Sequence, residues 1–164
     1  MINPLFKIKE NGKYGFMDAT GRVVIEPQYY AAEEFYNGFS RVSLNDKIVP
    51  LDIHGRLLLR NLFKYIGLFE EHHAKVQLVH KWGFIDERGR LVIPLRYTDA
   101  GDFSEGIAPV CSNGQYGFIE TFGNFSIPPR FDWAGEFNNG LAPVTIEKNS
   151  GYINRDGDIA IPPQ

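Results

Sequence analysis

Lys81-Trp82-Gly83-Phe84-Ile85-Asp86-Glu87-Arg88-Gly89-Arg90-Leu91-Val92-Ile93-Pro94 is the stretch whose reading decides the fold. It runs from an aromatic-rich segment through Asp-x-x-Gly into a β-branched segment. An acidic residue followed at the third position by glycine suits a type I turn closed by a left-handed residue. The stretch therefore predicts a tight β-hairpin with an aromatic first strand and a β-branched second strand.

Working outward, the same pattern returns every 34 residues without an insertion. Asp18, Asp52, Asp86, Glu120 and Asn154 keep that spacing, and so do Gly21, Gly55, Gly89, Gly123 and Gly157. Ile25, Leu59, Ile93, Ile127 and Ile161 form a third register, and Phe35, Phe69, Phe103 and Phe137 a fourth. A fixed period of this length is the signature of a repeat architecture. Positions 23 and 25 and their equivalents are always apolar, whereas position 24 changes to Ser126 and Ala160. Such alternation predicts one buried face.

A further strand precedes each hairpin. It carries Val42, Val76, Val110 and Val144 beside the small residues Ser40, Ala74, Ala108 and Ala142, and a short polar turn such as Asn113-Gly114 joins it to the aromatic strand. The fold class predicted is all-β: five tandem three-stranded antiparallel β-meanders, at about residues 5–26, 39–60, 73–94, 107–128 and 141–162 of a single 1–164 domain. An open superhelical array and a propeller-like ring both fit this pattern. The connectors carry apolar residues three apart, as in Tyr97, Ala100 and Phe103, which predicts a tight helical turn between units. One unit of 34 residues cannot bury enough surface alone, so neighbours must stack.

Composition narrows the function classes. The formal net charge of −3 leaves no basic surplus for a phosphate backbone, so nucleic acid is not an expected partner. No apolar stretch is long enough to span a bilayer, and Met1 to Glu10 lacks the apolar core of a signal peptide, so a cytoplasmic protein without membrane contact is expected. The single cysteine, Cys111, rules out an intrachain disulfide framework.

The run from Lys81 to Asp86, with Gly89, Val92-Ile93-Pro94, Tyr97 and Asp99-Ala100-Gly101-Asp102-Phe103-Ser104-Glu105-Gly106, resembles the WG repeat (KWG repeat) family of bacterial tandem β-repeat proteins. The resemblance is strong in repeats three and four and weak in repeat two, where Ile48-Val49-Pro50 replaces aromatic-Gly-aromatic. It implies an interaction module with no general enzymatic activity, no cofactor and no catalytic residue to carry over.

Candidate chemistry is sparse. The recurrent Asp18, Asp52 and Asp86 sit in three-residue turns and lack the spacing of a calcium loop. The four histidines, His54, His72, His73 and His80, lie in or beside repeat two; adjacent His72 and His73 on an extended segment point to opposite faces and do not suit one ion. Cys111 aligns with Ser43, Gln77 and Thr145 and has no histidine in a nucleophile signature. No metal site and no catalytic residue are expected.

The informative residues are large aromatics at non-recurrent positions. Trp133 aligns with Ala31, Tyr65 and Asp99; Phe122 with Thr20, His54 and Arg88; Tyr36 with Glu70, Ser104 and Asn138. Positions this tolerant face solvent, and an exposed aromatic anchors interfaces. Trp133, Phe122, Tyr65 and Tyr36 are the expected binding residues of a non-enzymatic scaffold that mediates protein–protein interaction. The alternative is a glycan or cell-wall binding module.

Overall fold

The computed structural model describes residues 4–44, 47–58 and 63–164, and these are all strand, turn and loop. The chain divides into two compact units, Met1–Phe69 and Glu70–Gln164.

The first unit contains β1 (Phe6–Glu10), β2 (Lys13–Met17) and β3 (Val23–Tyr29), followed by β4 (Ala31–Ala32), β5 (Phe39–Leu44), β6 (Lys47–Asp52) and β7 (Tyr65–Ile66). The first three form an antiparallel meander, and β4, β5 and β6 a second sheet. The second unit contains the meander β8 (His73–Leu78), β9 (Lys81–Asp86) and β10 (Leu91–Tyr97). Two four-stranded sheets follow. One is built from β11 (Asp99–Ala100), β12 (Ile107–Ser112), β13 (Gln115–Glu120) and β14 (Phe125–Phe131). The other comprises β15 (Trp133–Ala134), β16 (Ala142–Ile146), β17 (Asn149–Ile153) and β18 (Ile159–Ile161). The all-β reading and the antiparallel meander hold.

Every predicted hairpin turn has its glycine in the left-handed region, from Gly89 at φ 76° to Gly157 at φ 87°. The side chain at the head of the turn locks it: Asp86 Oδ1 accepts the N–H groups of Arg88 at 3.0 Å and Arg90 at 2.9 Å. Asn154 does the same for Asp156 and Asp158 without a charge. Burial raises the Asp86 pKa, but the Arg90 side chain and the backbone donors outweigh it and hold the carboxyl below its usual range.

The connectors differ from expectation. Among the described residues no helical turn forms; Ala31–Ala32, Asp99–Ala100 and Trp133–Ala134 are short strands that add to β5, β12 and β16 of the next meander. Each connector then closes on a two-residue turn, as in the bridge from Ser104 to Ile107, whose central residues Glu105 and Gly106 both have positive φ. That combination is a type I′ turn. The apolar spacing of three serves this strand and turn path.

The second strand also runs past the predicted end at residue 26, reaching Tyr29, Tyr97 and Phe131. Its register shifts on the way: Phe118 faces Ile127 while Tyr116 faces Phe131. This bulge takes up Pro128 and Pro129, which have no N–H for the ladder. It also presses the second strand onto the first, so that an ideal Cβ on Gly117 would lie 2.6 Å from the Ile127 carbonyl oxygen. The glycine after the aromatic is thus demanded by space.

Within each unit, side-chain packing joins consecutive repeats. In the second unit, Phe84, Ile93 and Tyr97 of repeat three pack with Ala108, Val110 and Ile119 of repeat four. Phe118, Ile127 and Phe131 of repeat four pack with Ala142, Val144 and Ile153 of repeat five. In the first unit, Phe16, Ile25 and Tyr29 pack with Val42 and Leu51. The connector phenylalanine seals each seam edge-on, Phe103 at 4.9 Å from Phe84 and Phe137 at 5.0 Å from Phe118. The expectation of one buried face for positions 23 and 25 is only half met. Ile93 and Ile127 are buried, while Leu91 and Phe125 remain partly exposed because the register shifts between the two positions.

Candidate functional site

Trp133 lies on β15 opposite Thr145 and is 47% exposed. Its indole rests over Gly135, where an ideal Cβ would be 3.0 Å from Trp133 Cη2 and 2.9 Å from Pro143 Cγ. The indole edge and the Pro143 ring thus both reach the space over Gly135, which a residue without a Cβ leaves to them, while about half of the Trp133 surface stays in solvent. In the preceding repeat this position is Asp99, whose Oδ2 accepts a hydrogen bond from the Tyr116 hydroxyl. Burial, reinforced by Asp99, pushes the Tyr116 hydroxyl above the ordinary phenol range. The matching space over Gly101 is occupied by Pro109 and by Glu136, whose Oε1 accepts the Asp102 N–H at 3.0 Å. One scaffold position thus presents an open aromatic in one repeat and a satisfied acid in another.

Phe122 projects from the β13–β14 hairpin turn and is 87% exposed. Strand β14 carries the chain from that turn to the opposite end of the sheet, where Trp133 follows. Seven residues of strand separate the two ends, roughly 20 Å at the rise of a β-strand. Phe122 and Trp133 are therefore distinct contact points. In the first unit, Tyr36 opens the type I′ turn that closes on Phe39, and Tyr65 begins β7; both are exposed on one side.

His72 and His73 take separate partners. His72 Nδ1 lies 2.8 Å from Glu87 Oε1, and His73 Nδ1 lies 2.8 Å from the Glu71 carbonyl oxygen. The His73 ring also packs on Phe103 at 4.8 Å, in the manner of Phe39 on Phe69. His73 thereby fills the aromatic position of its repeat. Cys111 is buried in β12.

Sequence reading missed the seam between repeats four and five. Arg130, Phe131, Ile146, Gly157, Asp158 and Ile159 line an open groove of about 410 Å³ there. Arg130 lies along the Phe131 ring at 5.1 Å and donates to the Gly157 carbonyl. Arg96 donates likewise to the Gly123 carbonyl at 2.9 Å in the seam before it. The signal was the 34-residue step from Arg96 to Arg130, matched by the step from Gly123 to Gly157. These guanidinium groups are committed to holding repeats together. No helix among the described residues is long and apolar enough to cross a membrane.

Comparison with known families matches the WG containing repeat at residues 14–47, 82–116, 116–149 and 151–164, more than half of the chain. The stretch left unmatched contains most of repeat two, where Val49 stands in place of the recurrent glycine. No curated protein matches the chain.

Proposed function

The chain belongs to the WG containing repeat family, and on that premise we propose that it is a non-catalytic scaffold that binds another protein through the side chains that differ from repeat to repeat. The observation that carries this reading is a division of labour among the aromatics. Phe16, Phe84 and Phe118 are buried, and so are Phe69, Phe103 and Phe137. Trp133 and Phe122 occupy positions where other repeats carry Asp99 and Arg88, and both face solvent. An indole that already rests against the backbone at Gly135 loses less conformational freedom on binding than a free one, which is how a rigid anchor gains affinity. Two contact points some 20 Å apart suit a protein surface better than a single sugar ring.

The test is capture from native lysate with the wild-type chain as bait, followed by affinity measurement on the captured protein. Trp133→Ala and Phe122→Ala are each expected to weaken its binding about 30-fold, the equivalent of roughly 2 kcal/mol at a hot-spot aromatic. Unchanged affinity in both variants would overturn the assignment. Trp133-dependent retention of an oligosaccharide would replace it with the glycan-binding reading.

A further inference from the structure

Asparagine followed by glycine occurs four times, as Asn11-Gly12, Asn37-Gly38, Asn113-Gly114 and Asn139-Gly140. Glycine has no side chain to shield its amide nitrogen, so in this pair the nitrogen can reach the asparagine side chain. Hydroxide removes the glycine N–H proton, and the nitrogen adds to the asparagine Cγ. The N–Cγ bond forms, the Cγ–Nδ2 bond breaks, and ammonia departs with a proton taken from water, leaving a five-membered succinimide ring. Water then opens the ring at one of its two carbonyls. Opening at Cγ leaves aspartate, whereas opening at the main-chain carbonyl leaves isoaspartate, whose backbone is longer by one methylene. Closing the ring turns the asparagine away from the backbone of a type I′ turn, so a turn must open locally before it reacts.

Backbone geometry does not rank the four sites. The asparagines have φ of 49°, 47°, 52° and 51°, and the glycines 78°, 85°, 82° and 79°, so each pair forms the centre of the same type I′ turn. Their surroundings differ. Asn113 and Gly114 lie in the hairpin from β12 to β13, and both are exposed. Among the described residues nothing bonds the Asn113 amide or the Gly114 N–H. That turn is open although repeat four packs against repeat three on one side and repeat five on the other. Asn37 and Asn139 instead lie in connector turns that touch a neighbouring repeat. Asn37 Nδ2, the leaving nitrogen, donates to the Phe69 carbonyl oxygen at 3.0 Å. The Gly140 N–H, whose proton must be removed, donates to both carboxylate oxygens of Glu105, at 3.1 and 3.2 Å. A carboxylate in that place also opposes an anion on the nitrogen.

We propose that Asn113 is a site of spontaneous hydrolytic deamidation, and that contacts with a neighbouring repeat protect the same motif at Asn37 and Asn139. A hydrogen bond to a charged acceptor shifts the opening of a turn by about tenfold or more, which is enough to separate sites of equal intrinsic reactivity. The product has a local consequence. Ser112 and Gln115 pair across the turn, and an added methylene between them is incompatible with a two-residue type I′ connection. Isoaspartate at 113 therefore places a new negative charge on the β12–β13 hairpin and loosens it. The modification involves neither Trp133 nor Phe122, and it stands whether or not they bind a second protein.

Peptide mass mapping of the folded wild-type chain, sampled during incubation in warm, mildly alkaline buffer, tests this. Asn113 is expected to lose its amide at least about tenfold faster than Asn37 or Asn139, with isoaspartate among the products. In concentrated urea the three sites should react at similar rates, since each is followed by glycine. Glu105→Ala takes the carboxylate from the Gly140 N–H and should raise the Asn139 rate about tenfold while leaving Asn113 unchanged. Glu105→Gln keeps an acceptor and should restore most of the protection. Asn37 or Asn139 reacting as fast as Asn113 in the folded wild-type chain would overturn the inference, and so would an order of rates that survives in urea. An Asn139 that stays protected in Glu105→Ala would do the same.

Discussion

Repeats four and two occupy the same frame of the 34-residue period and solve it differently. In repeat four, Gly117 faces Val110 and lies beneath the bulged second strand, three of whose backbone atoms come within 2.9 Å of the place a Cβ would take. In repeat two the corresponding pair is Val49 facing Val42, and both valines are buried. Pro50 and Leu51 follow, and Leu51 bridges to Leu57 beyond the turn. A second strand crossing as in repeat four would meet the Val49 side chain with its backbone. The hairpin turn survives regardless, since Asp52 Oδ1 still accepts the N–H groups of His54 and Arg56. Turn chemistry is therefore the part of the repeat that is kept, and the glycine belongs to the bulge alone.

Reciprocal exchange at this position breaks or sharpens the comparison with the largest effect. Gly117→Val forces a branched side chain into backbone and should cost about 3 kcal/mol or more, within the range of severe core changes. Val49→Gly restores the family motif yet should also destabilise, by about 2 kcal/mol, because it empties a packed site. Urea denaturation of both variants checks the pair. A gain in stability from Val49→Gly would mean that repeat two is a damaged copy of repeat four with no packing of its own.

The two-residue hairpins of repeats three and four offer a smaller contrast. Asn113 and Gly114 take φ values of 52° and 82°, conformations these residues tolerate. Val79 and His80 take 46° and 60° in the equivalent turn, and a β-branched residue pays for that geometry. The double substitution Val79→Asn, His80→Gly should stabilise the chain by about 1 to 2 kcal/mol. No gain on thermal denaturation would contradict the strain assigned to this turn.

These contrasts also mark what was legible in the sequence. The Asp-x-x-Gly hairpins could be read because their chemistry is local and repeats at a fixed step. Asn-Gly turns are legible for the same reason, but Glu71-His72 and Val79-His80 adopt the same backbone with no residue that announces it. The connector strands were hidden because the pairing of Asp99 and Ala100 with Cys111 and Val110 is set by the next repeat. An apolar spacing of three fits a helical turn equally well in isolation. The glycine after the aromatic could be seen to recur, while its cause lies in a bulge ten residues away. The exposure of Trp133 and Phe122 followed from their failure to recur. Their placement beyond opposite ends of β14 did not, since it depends on the course of that strand.

The smallest expected effect is the most direct test, because the account rests on recurrent residues packing the stack while non-recurrent aromatics are spare. Trp133→Ala should leave the melting temperature within about 3 °C of wild type, the shift that roughly 1 kcal/mol produces in a chain of this size. A fall of about 10 °C or more, the scale of a buried aromatic removed from a core, would show that Trp133 is structural and would contradict its role as a binding anchor.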